Sequence, residues 1–109
     1  MWDERVVKAI VGAAWEDFRA ERWGRDFADK LRQRGITKEM VRQTLDSPDI
    51  IVLFRHFARW AVGFWSGRTR IVVVWSPFRL SRWVTAFRRR AGWDYLLGLE
   101  DATLLWRKE

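Results

Sequence analysis

The only histidine of the chain, His56, lies in the segment Arg55-His56-Phe57-Ala58-Arg59. Histidine can take up and return a proton near neutral pH because its unperturbed pKa lies there. RNA cleavage without a metal needs a base for the 2′-hydroxyl, cations beside the phosphorane and an acid for the leaving oxygen. His56 is therefore a candidate for proton transfer, with Arg55 and Arg59 placed to hold phosphate. The alternative is an exposed turn histidine without a role.

The positive charge of the chain is concentrated around this histidine. Residues 50–93 contain nine arginines and no Lys, Asp or Glu, whereas residues 1–49 hold ten basic and ten acidic side chains. The net charge of +7 therefore originates in one segment. Arginine binds phosphate oxygens bidentately and stacks on bases, so RNA or DNA is the leading partner. The candidate phosphate-binding residues are Arg55, Arg59, Arg70, Arg82, Arg88, Arg89 and Arg90.

Other classes of site lack their residues. Cysteine is absent, and a single histidine cannot build a site with several histidine ligands. The carboxylates are scattered over the predicted helices and no glycine-rich phosphate loop occurs, so the sequence predicts no metal and no cofactor. The longest uncharged runs, residues 60–67 and 71–78, are too short to span a bilayer, and residues 1–5 do not resemble a signal peptide. These features predict a cytoplasmic protein without membrane contact.

Helical periodicity dominates the first 49 residues. Apolar residues recur at helical spacing after Asp3 and Glu4, whose charges suit the start of a helix, and this predicts a helix over residues 4–22. A second helical stretch ends before Gly35, a natural C-cap, and Thr37 is a predicted N-cap for a third. The expected core of these helices comprises Val7, Ile10, Val11, Trp15, Leu31, Val41 and Leu45.

The hydrophobic period changes from helix to strand after Pro48. Four runs rich in β-branched and aromatic residues are separated by short turns, which predicts an antiparallel meander of strands at residues 50–54, 59–65, 70–75 and 82–87. A short C-terminal helix is predicted over residues 94–107. The expected fold class is α+β, with the N-terminal helices packed on a four-stranded antiparallel sheet.

A chain of 109 residues is expected to form a single domain, in which residues 1–22 add a helix to a core at residues 24–90. Alternation along the third strand places Arg70, Val72 and Val74 on one face and Ile71, Val73 and Trp75 on the other. In the fourth strand, alternation places Arg82, Val84, Ala86 and Arg88 on one face and Trp83, Thr85 and Phe87 on the other. We expect the helices to cover one face of the sheet and to leave the other as a shallow concave platform with arginines at its rim.

Three segments carry a likeness to a known family. Residues 26–37 read DFADKLRQRGIT, and residues 70–74 and 82–88 read RIVVV and RWVTAFR. With Val41, Leu45 and the Pro48-Asp49 pair, they resemble a family of small bacterial and phage proteins related to the toxin BrnT and more loosely to RelE-type ribonucleases. The resemblance spans roughly residues 26–90 and leaves the first helix unexplained.

The resemblance implies a compact α+β domain and, in toxin members, metal-independent RNA cleavage. The family's usual histidine falls on Asp26 here, so Asp26 is a second candidate for proton transfer beside His56. Two other hypotheses stay open. One is a noncatalytic phage or mobile-element accessory protein that binds nucleic acid through its arginines. The other is an interaction module that binds an antitoxin or another acidic protein and dimerises through its tryptophan-rich helices.

Overall fold

The computed structural model describes residues 2–79 and 82–109. Within them the chain forms α1 (Glu4–Arg19), α2 (Gly24–Arg34), α3 (Lys38–Asp46), β1 (Ile50–His56), β2 (Arg59–Ser66), β3 (Ile71–Trp75), β4 (Trp83–Arg88), α4 (Gly92–Leu97) and β5 (Thr103–Arg107). The strands form one antiparallel sheet in the order β4-β3-β2-β1-β5. The predicted α+β class, with N-terminal helices, an antiparallel sheet and a short C-terminal helix, is confirmed. The described part of the sheet has five strands instead of the predicted four.

The helix boundaries follow local hydrogen-bonding rules. The Asp3 carboxylate accepts the Arg5 amide at 2.8 Å, and the Thr37 hydroxyl accepts the Met40 amide at 3.1 Å. Gly35 closes α2 in the left-handed region with φ 64°, as predicted for a C-cap glycine. The first helix ends at Arg19, three residues before the predicted end.

The predicted helix at residues 94–107 is wrong beyond Leu97. The chain turns after α4, and Thr103–Arg107 pairs with the free edge of β1 as β5. In β5, Leu105 packs in the core under the helices, and Leu104 packs on the opposite face of the sheet. This alternation is the period of a strand, and pairing with β1 satisfies backbone groups that a helix would leave open at the sheet edge.

Both faces of the sheet are covered. Helices α1 to α3 enclose the larger core on one face, the helix-covered face. On the other, α4 places Leu96 against a second core that includes Phe54 and Trp65. Leu96 is fully buried, so the expected open platform is wrong where α4 lies. Short apolar runs in α4 and the segment after it supply this cover.

A β-bulge changes the facing of residues in β4. The register shifts between Val74 and Trp75, so that Trp75 pairs with Trp83 and Val74 with Thr85. The predicted alternation holds in β3, where Ile71, Val73 and Trp75 belong to the helix-covered core and Val72 and Val74 to the other. It fails in β4, because the extra residue puts Trp83 and Ala86 together on the helix-covered face.

No helix in the described ranges has the length and apolar character needed to cross a bilayer.

Candidate nucleic-acid interface

The strand register separates the arginines of residues 50–93 into two groups at opposite ends of the sheet. His56 pairs with Arg59 at one end, and Ile71 pairs with Arg88 at the other. We call the first the hairpin end; it comprises the β1–β2 turn at residues 57–58, residues 76–79 and Arg82. The second is the basic end, at residues 67–70 and 88–90. The two lie roughly 20 Å apart, because a strand rises about 3.3 Å per residue.

His56 lies at the hairpin end, where its ring packs edge-on against Phe57 at 4.6 Å between centroids. Arg79 donates a hydrogen bond from Nη2 to the His56 carbonyl oxygen at 2.9 Å. Burial lowers the pKa of the imidazole below its usual value, and the positive charges of Arg79 and Lys30 act in the same direction. His56 is therefore held in its neutral form near pH 7.

Two of the predicted phosphate-binding arginines at this end already have acidic partners. The Arg55 guanidinium lies 3.6 Å from the Asp101 carboxylate and over the Trp60 ring. The Arg82 guanidinium lies 3.5 Å from the buried Asp17 carboxylate. Each must give up or share a carboxylate before it can bind phosphate, so these residues are weaker candidates than the sequence indicates.

Asp26 is exposed in the first turn of α2 and does not share a site with His56. Helix α2 packs on the helix-covered face along β4, to which Lys30 donates a hydrogen bond at the Val84 carbonyl, 3.1 Å away. His56 is two residues after Phe54 in β1, so the two side chains lie on the same side of the sheet. Phe54 belongs to the core on the face opposite α2. The sheet thus separates the two side chains that were predicted to transfer protons.

The basic end brings together five exposed arginines, which we call the arginine cluster: Arg68, Arg70, Arg88, Arg89 and Arg90. Four of them were predicted as phosphate-binding residues. Arg68 was not, although it lies in the same acid-free segment, and that segment was the signal that could have identified it.

Backbone and side-chain contacts hold the arginine cluster in place. The Arg89 amide donates to the Arg70 carbonyl at 2.8 Å and so ties the end of β4 to the β2–β3 turn. The Arg88 guanidinium donates to the carbonyls of Arg34 and Gly35 and caps the C-terminus of α2. The Arg89 guanidinium lies over the Tyr95 ring at 4.6 Å. Two members of the cluster are therefore oriented before any ligand binds.

In the part of the chain that the structure describes, no carboxylate is paired with the arginine cluster. Among the described residues, none of the five guanidinium groups lies within 4.0 Å of an acidic oxygen. Asp49 is near this end, but its carboxylate accepts the Gly67 amide and lies 3.9 Å from the Lys108 ammonium. The basic end therefore carries a concentrated positive potential in a position open to solvent.

No group of three or more His, Asp or Glu side chains in residues 2–79 and 82–109 is arranged to hold a metal ion. The chain matches no protein-family model, no curated protein and no solved structure. The likeness to the BrnT and RelE-type family stays a prediction from the motifs.

Proposed function

We propose that the protein binds the phosphate backbone of RNA or DNA through the arginine cluster. The observation that supports this most directly is the presence, at one end of the sheet, of five exposed arginines that have no acidic partner among residues 2–79 and 82–109. A surface that serves only solvation interleaves charges of both signs, as helices α1 to α3 do with their paired acids and bases. The planar guanidinium fork can bind two oxygens of one phosphate at once.

The arrangement favours binding that follows the backbone. Arg88 and Arg89 are fixed by α2 and by Tyr95, so ordering them on binding costs little conformational entropy. Arg68, Arg70 and Arg90 project from the β2–β3 turn and the end of β4. Such a surface binds phosphates with little base recognition, and its affinity depends steeply on salt.

The test is a salt series with the double variant Arg68→Glu and Arg90→Glu. Loss of two phosphate contacts should reduce the slope of log K against log salt by about 1.8 on duplex DNA. The affinity itself should fall about tenfold or more at low salt, because two repulsive charges replace two attractive ones. Fluorescence anisotropy with labelled RNA and DNA of equal length measures both quantities.

The control is the double variant Lys8→Glu and Arg25→Glu, which changes the net charge equally on exposed helix positions away from the basic end. It should lose much less affinity than the cluster variant. Equal losses in the two variants would mean that only net charge matters. Unchanged nucleic-acid affinity in the cluster variant would contradict the proposal and assign the cluster to another anion, such as an acidic protein.

Metal-independent RNA cleavage at His56 is the second candidate function. It is supported by the lowered pKa of a half-buried imidazole at the end that carries Arg59 and Arg79. A neutral imidazole can take the 2′-hydroxyl proton, and the arginines can stabilise the phosphorane. Asp26 does not complete this site, so His56 would have to return the proton itself.

Cleavage of this kind persists in EDTA, leaves a 2′,3′-cyclic phosphate and is abolished by a 2′-deoxy substitution at the cut site. His56→Ala should lower the rate about 10²-fold to 10⁴-fold with little change in RNA affinity, because binding occurs at the basic end. If no RNA is cleaved under any of these conditions, the protein is a noncatalytic nucleic-acid-binding accessory protein. A cytoplasmic location belongs to either version of the proposal, since nucleic acid is the partner.

A further inference from the structure

Helix α1 carries more apolar surface than the chain buries. Residues 6–15 read VVKAIVGAAW, with Lys8 as the only charge. Val7 and Ala14 are buried in the core, whereas Val6 is 41% exposed and Ile10 is partly exposed. The apolar side of this amphipathic helix is therefore wider than the strip that it buries in the core.

The second apolar side of α1 borders a cavity of about 1050 Å³ between the helix and the sheet. Val6, Ala9, Ile10 and Ala13 form its helix wall. Leu53, Val62 and Trp75 form its floor on β1, β2 and β3. Trp2, Trp60 and Phe78 line it nearer the surface, and Trp2 and Phe78 are among the most exposed large apolar side chains of the described residues.

The floor of the cavity restricts what can occupy it. Val62 is 3% exposed and Trp75 is 2% exposed, although both line the cavity. The protein itself already covers both side chains, so an occupant lies along the α1 wall and the more exposed Trp60 and Phe78. A flexible, unbranched apolar chain can follow this surface.

The guanidinium group of Arg59 lies beside the opening of the cavity. A shallow depression lined by Arg55, Ala58 and Arg59 shares Trp60 and Phe78 with the cavity. Arg59 donates from Nη1 to the Phe78 carbonyl at 2.7 Å, which fixes its guanidinium at the rim. Within the described residues no acidic oxygen lies within 4.0 Å of Arg59, so its remaining donors are open to an anion.

We propose that this cavity binds a long-chain fatty acid, with the acyl chain between α1 and the sheet and the carboxylate on Arg59. The cavity is apolar except for the Asp3–Arg5 ion pair in its lining, and Arg59 beside it has donors open to a carboxylate, so the site matches an amphipathic monoanion in shape and charge. The site is at the hairpin end and is separate from the arginine cluster. Fatty-acid binding is therefore expected to be independent of nucleic-acid binding at the arginine cluster, and to compete only with RNA cleavage at His56, which would use Arg59.

Tryptophan fluorescence tests the proposal directly, because Trp2, Trp60 and Trp75 line the cavity. Dibromostearate, added to the full chain below its micelle concentration, should quench part of the emission in a saturable way, and oleate should reverse the quenching. In a competition series of saturated acids, each methylene removed should raise the dissociation constant by up to about fourfold. Absence of saturable quenching would overturn the proposal.

Matched variants separate the cavity from simple adsorption to a basic protein. Arg59→Gln should weaken dibromostearate binding by about tenfold, whereas Arg90→Gln at the basic end should not. Ala13→Phe, which fills the cavity from an exposed helix position, should abolish quenching, whereas Ala28→Phe on the exposed side of α2 should not. Equal effects of the paired variants, or equal binding of the methyl ester, would overturn the proposal. A duplex oligonucleotide should leave the quenching unchanged.

Discussion

The arginines at the two ends of the sheet differ in whether their guanidinium groups already have partners within the protein. Arg82 binds the Asp17 carboxylate, and Arg88 binds the end of α2, whereas Arg90 has no such partner among the described residues. Sequence spacing identified the arginine-rich segment correctly. It could not show which guanidinium groups are engaged, because the partners of Arg82 and Arg88 lie 53 or more positions away along the chain.

Asp17 is the clearest example of a residue whose importance the sequence did not reveal. It is 7% exposed, and its carboxylate accepts a hydrogen bond from the Trp75 indole N–H at 2.8 Å. The same carboxylate forms ion pairs with Arg22 and Arg82. Asp17→Ala should lower the free energy of unfolding by about 1–3 kcal/mol, because a buried N–H loses its acceptor. Urea denaturation measures the loss.

Asp17→Asn is the matched variant, since its side-chain oxygen still accepts the Trp75 N–H. It should be less destabilising than Asp17→Ala. An equal loss in both variants would mean that the negative charge, and not the hydrogen bond to Trp75, stabilises this part of the core.

The helices and strands with a strong hydrophobic period could be predicted from the sequence, whereas the structure of the C-terminal part could not. Helices α1 to α3 and strands β1 to β4 follow from local periodicity and turn residues. Residues 94–107 contain leucines whose spacing fits a helix as well as a strand. The vacant edge of β1 decides between them, and that edge exists only once the sheet has formed. The β4 bulge is hidden from the sequence for the same reason.

The packing of α4 on the sheet depends on Gly92. A Cβ atom at this position would lie 2.1 Å from Cγ of the Trp65 ring, which is fixed by its N–H bond to the Arg89 carbonyl. Gly92→Ala should therefore destabilise the protein by about 1–3 kcal/mol through overpacking. It should also loosen the start of α4, which follows directly on the arginine cluster.

Gly12→Ala is the control for this variant, because nothing lies within 4 Å of a Cβ atom at Gly12 and the position is inside α1. Alanine there should stabilise the protein by about 0.5–1 kcal/mol through helix propensity. Opposite signs for the two variants in urea denaturation are the expected result. A neutral Gly92→Ala would show that Trp65 and α4 can shift apart without cost.

For the whole molecule, the uneven packing of the helices on the sheet is as important as the uneven charge. Helices α2 and α3 lie directly on strands, α2 through hydrogen bonds to β4 and α3 through contacts with β2 and β3. Helix α1 has cavities on both sides, of about 1050 Å³ and 640 Å³. Its fully buried residues are Val7, Ala14 and Asp17, and four partly buried side chains also pack against the core: Ile10, Val11, Trp15 and Phe18.

This difference predicts that α1 opens more readily than the rest of the molecule. Local opening free energy rises with the apolar contacts and protected hydrogen bonds of an element, and cavities on both sides deprive α1 of such contacts. Native-state hydrogen exchange should show the amides of residues 8–19 exchanging through a sub-global opening, while those of β1 to β3 exchange only by global unfolding. The denaturant dependence of exchange distinguishes the two routes, since a sub-global opening exposes less surface and has a smaller slope. If the amides of α1 exchange only with global unfolding, its contacts with the core hold it as firmly as the strands are held in the sheet. The cavities then lie within one cooperative unit.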